Sequence, residues 1–215
     1  MLSVRNRAIT AVTVATVVAA AVLSGCAVAP APPPGKPAPR LPADSIAYDT
    51  LPVITSRPKL FPGDCSQFEK NPALLGTLGG SSPTYNPYAK ACVMKRSAGT
   101  QVEVGSMDPD QRIPEPWPGW WKVYDYSVYH FRRMLVLDRY YAVSQLDGYG
   151  CKVAVNTGSP QVLTVRVGAE LGQGPVPGDS VDVDRQTAQR FCPDAQKATE
   201  DYLNTVDPGG GSLAG

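Results

Sequence analysis

The chain has 215 residues and a formal net charge of +1, with 22 prolines and 20 glycines. A charge this small excludes binding to nucleic acid through a basic surface, because such binding needs an excess of Lys and Arg to neutralise phosphates. The many prolines and glycines favour loops and short strands over a helical bundle.

The chain begins with a segment typical of an export signal. Met1 to Arg7 carries two positive charges, and residues 8–23 are uncharged and almost all apolar or small. About 16 residues are too few for a transmembrane helix, which needs ~20, but they match the apolar region of a secretory signal. We therefore predict a signal peptide over residues 1–25.

The next residues resemble the bacterial lipobox, which is a Leu and two small residues followed by Cys: here Leu23-Ser24-Gly25-Cys26. The resemblance implies that a diacylglycerol is attached to the Cys26 thiol and that Cys26 becomes the mature N-terminus. Two or three acyl chains, palmitate among them, anchor a protein stably. The alternative is an ordinary signal peptide with a chance Cys. We expect a protein anchored by lipid at the extracytoplasmic face of the cell membrane.

A proline-rich spacer is predicted over residues 26–43. Seven of the thirteen residues from Pro30 to Pro42 are proline. Such a run favours an extended polyproline II conformation with a reach of roughly 45–50 Å. We expect it to hold a globular domain, residues 44–207, away from the membrane, with residues 208–215 as a flexible tail.

Four further cysteines lie in the predicted domain: Cys65, Cys92, Cys151 and Cys192. An even number in an exported domain indicates two disulfides. Three connectivities exist, and we favour Cys65–Cys92 and Cys151–Cys192 because each joins neighbours in the cysteine order. A zinc site is the alternative, but the chain lacks a C-x-x-C pair and its single histidine, His130, stands far from every cysteine in the sequence. We therefore predict neither a metal nor a cofactor.

The first half of the domain is predicted to contain one helix and two strands. Asp64 is a plausible N-cap for a helix to Leu75, which Pro72 would kink or split. Ala91 to Arg96 and Gln101 to Met107 have the pattern of strands joined by a short turn. Residues 108–119 are too rich in proline to continue a sheet.

The second half is predicted to contain four strands and a final helix. The strands are Arg133–Leu137, Tyr140–Leu146, Cys151–Asn156 and Gln161–Gly168, with Asp147-Gly148 as a strong hairpin turn. The helix is predicted to begin with Cys192 as N-cap and Pro193 at its first position, and to end at Asp207. The fold class is therefore α+β, an antiparallel sheet packed against N- and C-terminal helices and stapled by two disulfides.

The surroundings of the four cysteines resemble those in a family of actinobacterial cell-envelope lipoproteins with two cysteine pairs. The resemblance covers about residues 60–207 and rests on Cys65 in an early helix, Cys92 in a strand, Cys151-Lys-Val-Ala-Val in a hairpin and Cys192 at a final helix. It implies the same two disulfides. It implies no activity.

Aromatic residues are concentrated between the two halves. Within fifteen residues stand Trp117, Trp120, Trp121, Tyr124, Tyr126, Tyr129 and Phe131. Such side chains suit a partner surface or a sugar ring, but they also complete the cores of small sheets. The neighbouring prolines favour an irregular, exposed segment for the tryptophans.

No motif for catalysis is recognised. The chain has no G-x-S-x-G motif that would supply a nucleophile for His130. Asp179, Asp182 and Asp184 do not have the spacing of a calcium-binding loop. We therefore expect a non-catalytic binding or accessory protein of a cell-envelope complex, whose partner is an envelope or membrane protein. The alternative is a lipoprotein that binds a small ligand, lipid or glycan through the aromatic segment 117–131.

Overall fold

The computed structural model describes residues 46, 54, 56–122, 130–170 and 180–213, all of which belong to one compact unit, Ala38–Gly215. The predicted signal peptide, Cys26 and the proline-rich spacer lie outside the described residues. The described part is a seven-stranded antiparallel sheet with helices at both ends. The predicted α+β class is confirmed.

The elements follow one another in a simple order. In the first half they are α1 (Ser66–Lys70), α2 (Pro72–Thr77), β1 (Ser81–Asn86), β2 (Ala91–Lys95), β3 (Thr100–Met107) and α3 (Pro116–Lys122). In the second half they are β4 (Phe131–Val136), β5 (Tyr140–Asp147), β6 (Gly150–Asn156), β7 (Val162–Ala169) and α4 (Val181–Val206). The strand order is β1-β2-β3-β7-β6-β5-β4, so β1 and β4 form the edges of the sheet.

The first helical segment is split, as the sequence predicted. The Asp64 carboxylate accepts a hydrogen bond from the Ser66 backbone N–H at 2.8 Å, just before α1. Pro72 then begins α2, with the Asn71 side chain accepting the Leu74 N–H at 3.1 Å. Proline has no N–H to donate, so it suits the first turn of a new helix better than the interior of a longer one.

Strand β1 was not among the elements predicted from the sequence. Its sequence, Ser-Ser-Pro-Thr-Tyr-Asn, is polar and mostly exposed, so no apolar alternation marks it. Its register against β2 shifts between Ser81 and Thr84. An edge strand needs hydrogen bonds on one side only, which is why it tolerates Pro83.

The predicted hairpins are present. Asp147 pairs with Gly150 across the turn between β5 and β6, and Gly148 adopts a positive φ of 55°. Glycine takes this conformation without steric cost, so Asp147-Gly148 fixes the register of the hairpin. The register brings Leu146 opposite Cys151, which places the cysteine at the start of a central strand.

Helix α4 begins twelve residues earlier than the sequence predicted, at Val181 rather than Pro193. Ser180 is its N-cap, and its hydroxyl accepts the Val183 N–H at 3.2 Å. Pro193 therefore lies inside the helix, where it leaves the carbonyl of Gln189 without its helical donor. The error arose because Pro is common at helix starts. Burial of Thr187 and Phe191 against the sheet outweighs the local cost of the proline.

Helices α1, α2 and α4 cover one face of the sheet and form the main core with it. Phe68, Leu74, Val153, Tyr202 and Leu203 are at most 1% exposed there. One side of α4 faces this core, where Ala195, Thr199 and Tyr202 are all buried. This core fixes the helix across the central strands.

Both predicted disulfides are present. Cys65 and Cys92 join the start of the helical segment to β2, with their Cα atoms 5.4 Å apart. Cys151 and Cys192 join β6 to the middle of α4, with a Cα separation of 5.0 Å. The second bond therefore pins the last helix to a central strand, as the sequence predicted.

The prediction of a loose C-terminal tail is wrong for residues 208–213. Ser212 is fully buried, and its hydroxyl accepts the Tyr141 N–H at 2.9 Å. Its N–H donates to the Arg139 carbonyl, and its carbonyl accepts the Ile54 N–H. A glycine-rich sequence carries no apolar pattern, so hydrogen bonds such as these, together with that from Arg57 to the Gly211 carbonyl, define its position.

Candidate functional site

The aromatic segment contributes to a second, smaller core on the other face of the sheet. Trp117, Trp120 and Trp121 lie on α3, and Trp121 is only 3% exposed. The Trp121 ring packs edge-to-face on Tyr141, with centroids 5.3 Å apart. The expectation of an exposed, irregular segment is therefore wrong for Trp121, which is a core residue.

The other predicted aromatic site residues differ in position. Trp117 is half-buried and contacts Trp121 at a centroid distance of 5.4 Å. Trp120 is also half-buried, and the Lys152 ammonium lies 5.8 Å from its ring centroid. Tyr124, Tyr126 and Tyr129 lie outside the described residues. Trp117 and Trp120 are thus the described members of the segment that keep surface for a partner.

A cleft of about 540 Å³ opens on the α4 side of the sheet, between the edge strand β4 and the helix. We call it the α4–β4 cleft. The sheet side contributes His130, Arg132, Arg133, Met134 and Ser144, and the helix contributes Arg185, Ala188, Gln189, Cys192, Pro193 and Gln196. The sequence did not predict this cleft, because its two walls are more than forty residues apart in the chain.

The pairing of β4 with β5 explains the sheet wall. Arg132 pairs directly with Ser144, and Met134 pairs with Ala142. Side chains alternate along a strand, so residues 130, 132 and 134 share the α4 side of the sheet. The helix wall has the small Ala188 and the ring of Pro193 where a larger side chain would fill the space. Pro193 also leaves the Gln189 carbonyl as a hydrogen-bond acceptor at this wall.

A short polar chain runs from His130 into the sheet. The His130 Nε2 atom lies 2.8 Å from the Ser144 Oγ atom, which in turn lies 3.5 Å from the Cys151 Sγ atom. One His130 ring nitrogen and the sulfurs of Cys151 and Cys192 all lie within 4.8 Å of one another. No local pattern in the sequence indicates this arrangement, since His130 is remote from each cysteine along the chain.

A histidine beside a serine hydroxyl is also the core of a nucleophilic catalyst. Here Ser144 is only 3% exposed and sits within a strand against the disulfide. An acyl or phosphoryl group therefore has little room to form a bond at its Oγ atom. The pair suits a positioned imidazole better than an attacking hydroxyl.

The cleft is positively charged. Among the described residues that line it, three are arginines and none is acidic. Arg133 is directed to the opposite face of the sheet, where its Nε atom donates to the Trp121 carbonyl at 2.7 Å. Arg132 and Arg185 thus supply the guanidinium groups, and Arg185 also pairs with the exposed Asp182 at 3.0 Å. Exposed pairs of this kind contribute only about 0.2–1 kcal/mol.

The three aspartates of the sequence motif have different positions. Asp182 and Asp184 lie in the first turn of α4 rather than in a loop, and Asp184 is 7% exposed. Acidic side chains there interact favourably with the helix dipole. Asp179 lies outside the described residues. These positions explain the two described aspartates as helix-terminal residues.

Comparisons with protein-family models, curated proteins and solved structures find no match for the chain. Among the described residues, no helix combines the length and the apolar character needed to cross a membrane. The α4–β4 cleft is therefore the structural feature of the described residues that bears most directly on function.

Proposed function

We propose that the protein is a lipid-anchored, extracytoplasmic binding protein without catalytic activity, which accepts an anionic ligand in the α4–β4 cleft. The observation that carries the proposal is the lining of the cleft by guanidinium groups with no carboxylate among its described residues. Guanidinium groups recognise carboxylates and phosphates through paired hydrogen bonds. The ligand class is therefore a small carboxylate or phosphate, or such a group on a partner.

The size and polarity of the cleft support a small ligand. A volume of about 540 Å³ lies within the usual range for ligand sites, ~300–1,000 Å³. Met134, Ala188 and Pro193 provide apolar surface, while Gln189 and Gln196 provide amides that both donate and accept hydrogen bonds. Apolar walls with a few placed polar groups are typical of sites that orient one ligand.

The test is a measurement of anion binding with charge-removing variants. We expect at least one of inorganic phosphate, citrate and a glycerol phosphate to raise the melting temperature of the wild-type protein and to bind in calorimetry. Loss of one charge-assisted hydrogen bond costs about 1.5–3 kcal/mol, which is roughly 10- to 100-fold in affinity. Arg132→Ala and Arg185→Ala should each show this loss.

Arg190→Ala is the matched control. Arg190 is on the same helix and is exposed, with its guanidinium over the Phe191 ring at 4.7 Å, and it does not line the cleft. The control should bind as the wild type does. The proposal is wrong if no anion of the panel binds, or if Arg132→Ala and Arg185→Ala bind as tightly as Arg190→Ala.

The membrane anchor is a separate part of the proposal and rests on the lipobox resemblance at Cys26. Replacing Cys26 by Ser should release the protein from the membrane fraction without changing the circular dichroism of the domain. A Cys26→Ser protein that still sediments with membranes after processing would refute the anchor.

A second candidate function is the docking of an envelope protein partner, which makes this chain an accessory subunit. It is favoured by the half-buried indoles of Trp117 and Trp120, because such side chains are frequent centres of protein interfaces. Cross-linking in intact cells should capture a defined partner, and Trp120→Ala should weaken the capture. Tyr88→Ala is the control, since Tyr88 is 98% exposed at the β1–β2 hairpin. Equal capture by both variants would reject this candidate.

A further inference from the structure

The imidazole and the second disulfide form a cluster that anion binding does not use. One ring nitrogen of His130 and the Sγ atoms of Cys151 and Cys192 lie within 4.8 Å of one another. They come from the residue before β4, from β6 and from α4, so only the fold brings them together. Nitrogen and thiolate sulfur are the donors that Zn²⁺ prefers.

We propose that reduction of the Cys151–Cys192 disulfide creates a binding site for one Zn²⁺ ion, with His130, Cys151 and Cys192 as ligands. Zinc binds thiolate at about 2.3 Å and imidazole at about 2.0–2.1 Å, so tetrahedral ligand atoms lie ~3.5–3.8 Å apart. The observed separations, all within 4.8 Å, reach this geometry by small side-chain movements. The inference does not depend on the proposed anion binding.

The surroundings of the cluster favour an ordered site. The Ser144 hydroxyl contacts both the His130 Nε2 atom and the Cys151 Sγ atom. A hydrogen bond from this hydroxyl to the Cys151 thiolate would orient that ligand. With three protein ligands, the fourth zinc position is open to water.

The cluster borders the α4–β4 cleft. His130 is half-buried and lines the cleft together with Cys192, which is 5% exposed, while Cys151 is fully buried. A reductant and an ion would therefore reach the cluster from the cleft, at Cys192. Among the described residues, Cys65 and Cys92 have no third ligand group beside them, and His130, the single histidine of the chain, lies with Cys151 and Cys192. After reduction, the Cys151–Cys192 pair should therefore bind zinc more tightly than the Cys65–Cys92 pair.

The chemistry requires a dithiol or phosphine reductant. With a phosphine, the phosphorus attacks one Sγ atom and the other leaves as a thiolate; one water molecule then gives its oxygen to the phosphine oxide and its two protons to the two cysteines. With a dithiol, one thiolate attacks the Sγ atom of Cys192, a mixed disulfide forms and Cys151 leaves as a thiolate. The second thiol then attacks the mixed disulfide, releases Cys192 and leaves the reductant as a cyclic disulfide, so two electrons and two protons pass to the protein. Zinc binding to the two thiols releases two protons.

The test uses the full mature protein in detergent, oxidised or reduced with a phosphine under anaerobic conditions. Zn²⁺ alone is titrated against a coloured chelator, and Co²⁺ serves as a spectroscopic probe for thiolate ligation. We expect one tightly bound Zn²⁺ per reduced chain and none for the oxidised chain. His130→Ala should weaken zinc binding by at least about tenfold, because one of three ligands is lost.

A variant with Cys65→Ser and Cys92→Ser is the matched control, and it should retain zinc binding after reduction. Equal affinity of the oxidised and reduced proteins, or of the reduced wild type and reduced His130→Ala, would overturn the proposal. If reduction unfolds the chain, Zn²⁺ should restore the far-ultraviolet circular dichroism of the wild type and not that of His130→Ala. Failure to restore the wild type would overturn the proposal as well.

Discussion

The buried ion pair between Arg166 and Glu103 provides a quantitative test of how the sheet is stabilised. The two residues pair directly across the central strands β7 and β3. Their side chains are 5% and 15% exposed, and the Arg166 Nη1 atom lies 2.6 Å from the Glu103 Oε1 atom. Arg166 Nε also donates to the Asp147 carbonyl at 3.0 Å, and the Gln101 amide donates to Glu103 at 2.6 Å.

Replacing Arg166 by Met should lower the free energy of unfolding by about 3–5 kcal/mol. Removing one partner of a buried pair leaves the other charge in a poorly solvated position, and that desolvation is the main cost. The substitution Arg166→Met, Glu103→Leu removes both charges, so most of the loss should be recovered. Glu103→Leu alone should cost a similar amount, because it leaves the more buried Arg166 charge with a neutral acceptor, the Asp147 carbonyl, in place of the carboxylate.

The assay is urea denaturation followed by tryptophan fluorescence, with the four proteins compared at one pH. The dependence of the unfolding free energy on urea should be unchanged, since each variant exposes the same surface on unfolding. The double-mutant cycle gives the coupling between the two side chains. If the double variant loses the sum of the two single losses, the residues are not coupled and the reasoning is refuted.

Three further results are expected. Ser180→Ala should lower the free energy of unfolding by about 1 kcal/mol, because the Val183 N–H loses its acceptor. An unchanged urea midpoint would contradict the role of Ser180 as the N-cap of α4. Trp121→Ala should lower the free energy of unfolding by about 3–5 kcal/mol and Trp120→Ala by much less, since Trp121 is the buried residue. Similar losses for the two variants would contradict the position of Trp121 in the second core. Burial, together with the hydrogen bond to Asp207, raises the pKa of Tyr140 to about 12. This contribution to stability is complete below pH ~10, the ordinary tyrosine pKa, and is lost as the pH rises toward 12. Urea denaturation at pH 8 and at pH 11 should therefore show that the difference in free energy of unfolding between the wild type and Tyr140→Phe is smaller at pH 11. An equal difference at the two pH values would refute the raised pKa of Tyr140.

Features that depend on a few adjacent residues could be predicted from the sequence. The Asp147-Gly148 turn defines a hairpin because it needs only a positive φ at one glycine. Asp64 and Pro72 mark the start and the division of the first helical segment for the same local reason. The alternation from Gln101 to Val104 predicted β3, but it did not reveal that Glu103 pairs with the buried Arg166, because that depends on the register of a distant strand.

Features that depend on packing could not be predicted. The start of α4 was misplaced because the local preference of Pro193 is overridden by burial of the helix against the sheet. Trp121 was expected on an exposed segment because prolines precede it, yet Tyr141 and Phe131 enclose it. Residues 208–213 were predicted to be a flexible tail because their local sequence is rich in glycine. The hydrogen bonds that order them join Ser212 to Arg139 and Tyr141, about seventy residues away, and no local pattern indicates such bonds.

The sequence by itself therefore determined the fold class and most of the strands, since these follow from periodicity and turn residues, and it favoured the two cysteine pairs that the structure contains. It also carries the prediction of the lipid anchor at Cys26. Only the tertiary structure decided that His130 meets Cys151 and Cys192, and that Arg132 faces Arg185 across a cleft. The physical reason is that side chains from separate elements become neighbours through strand register and helix packing, which no local pattern encodes.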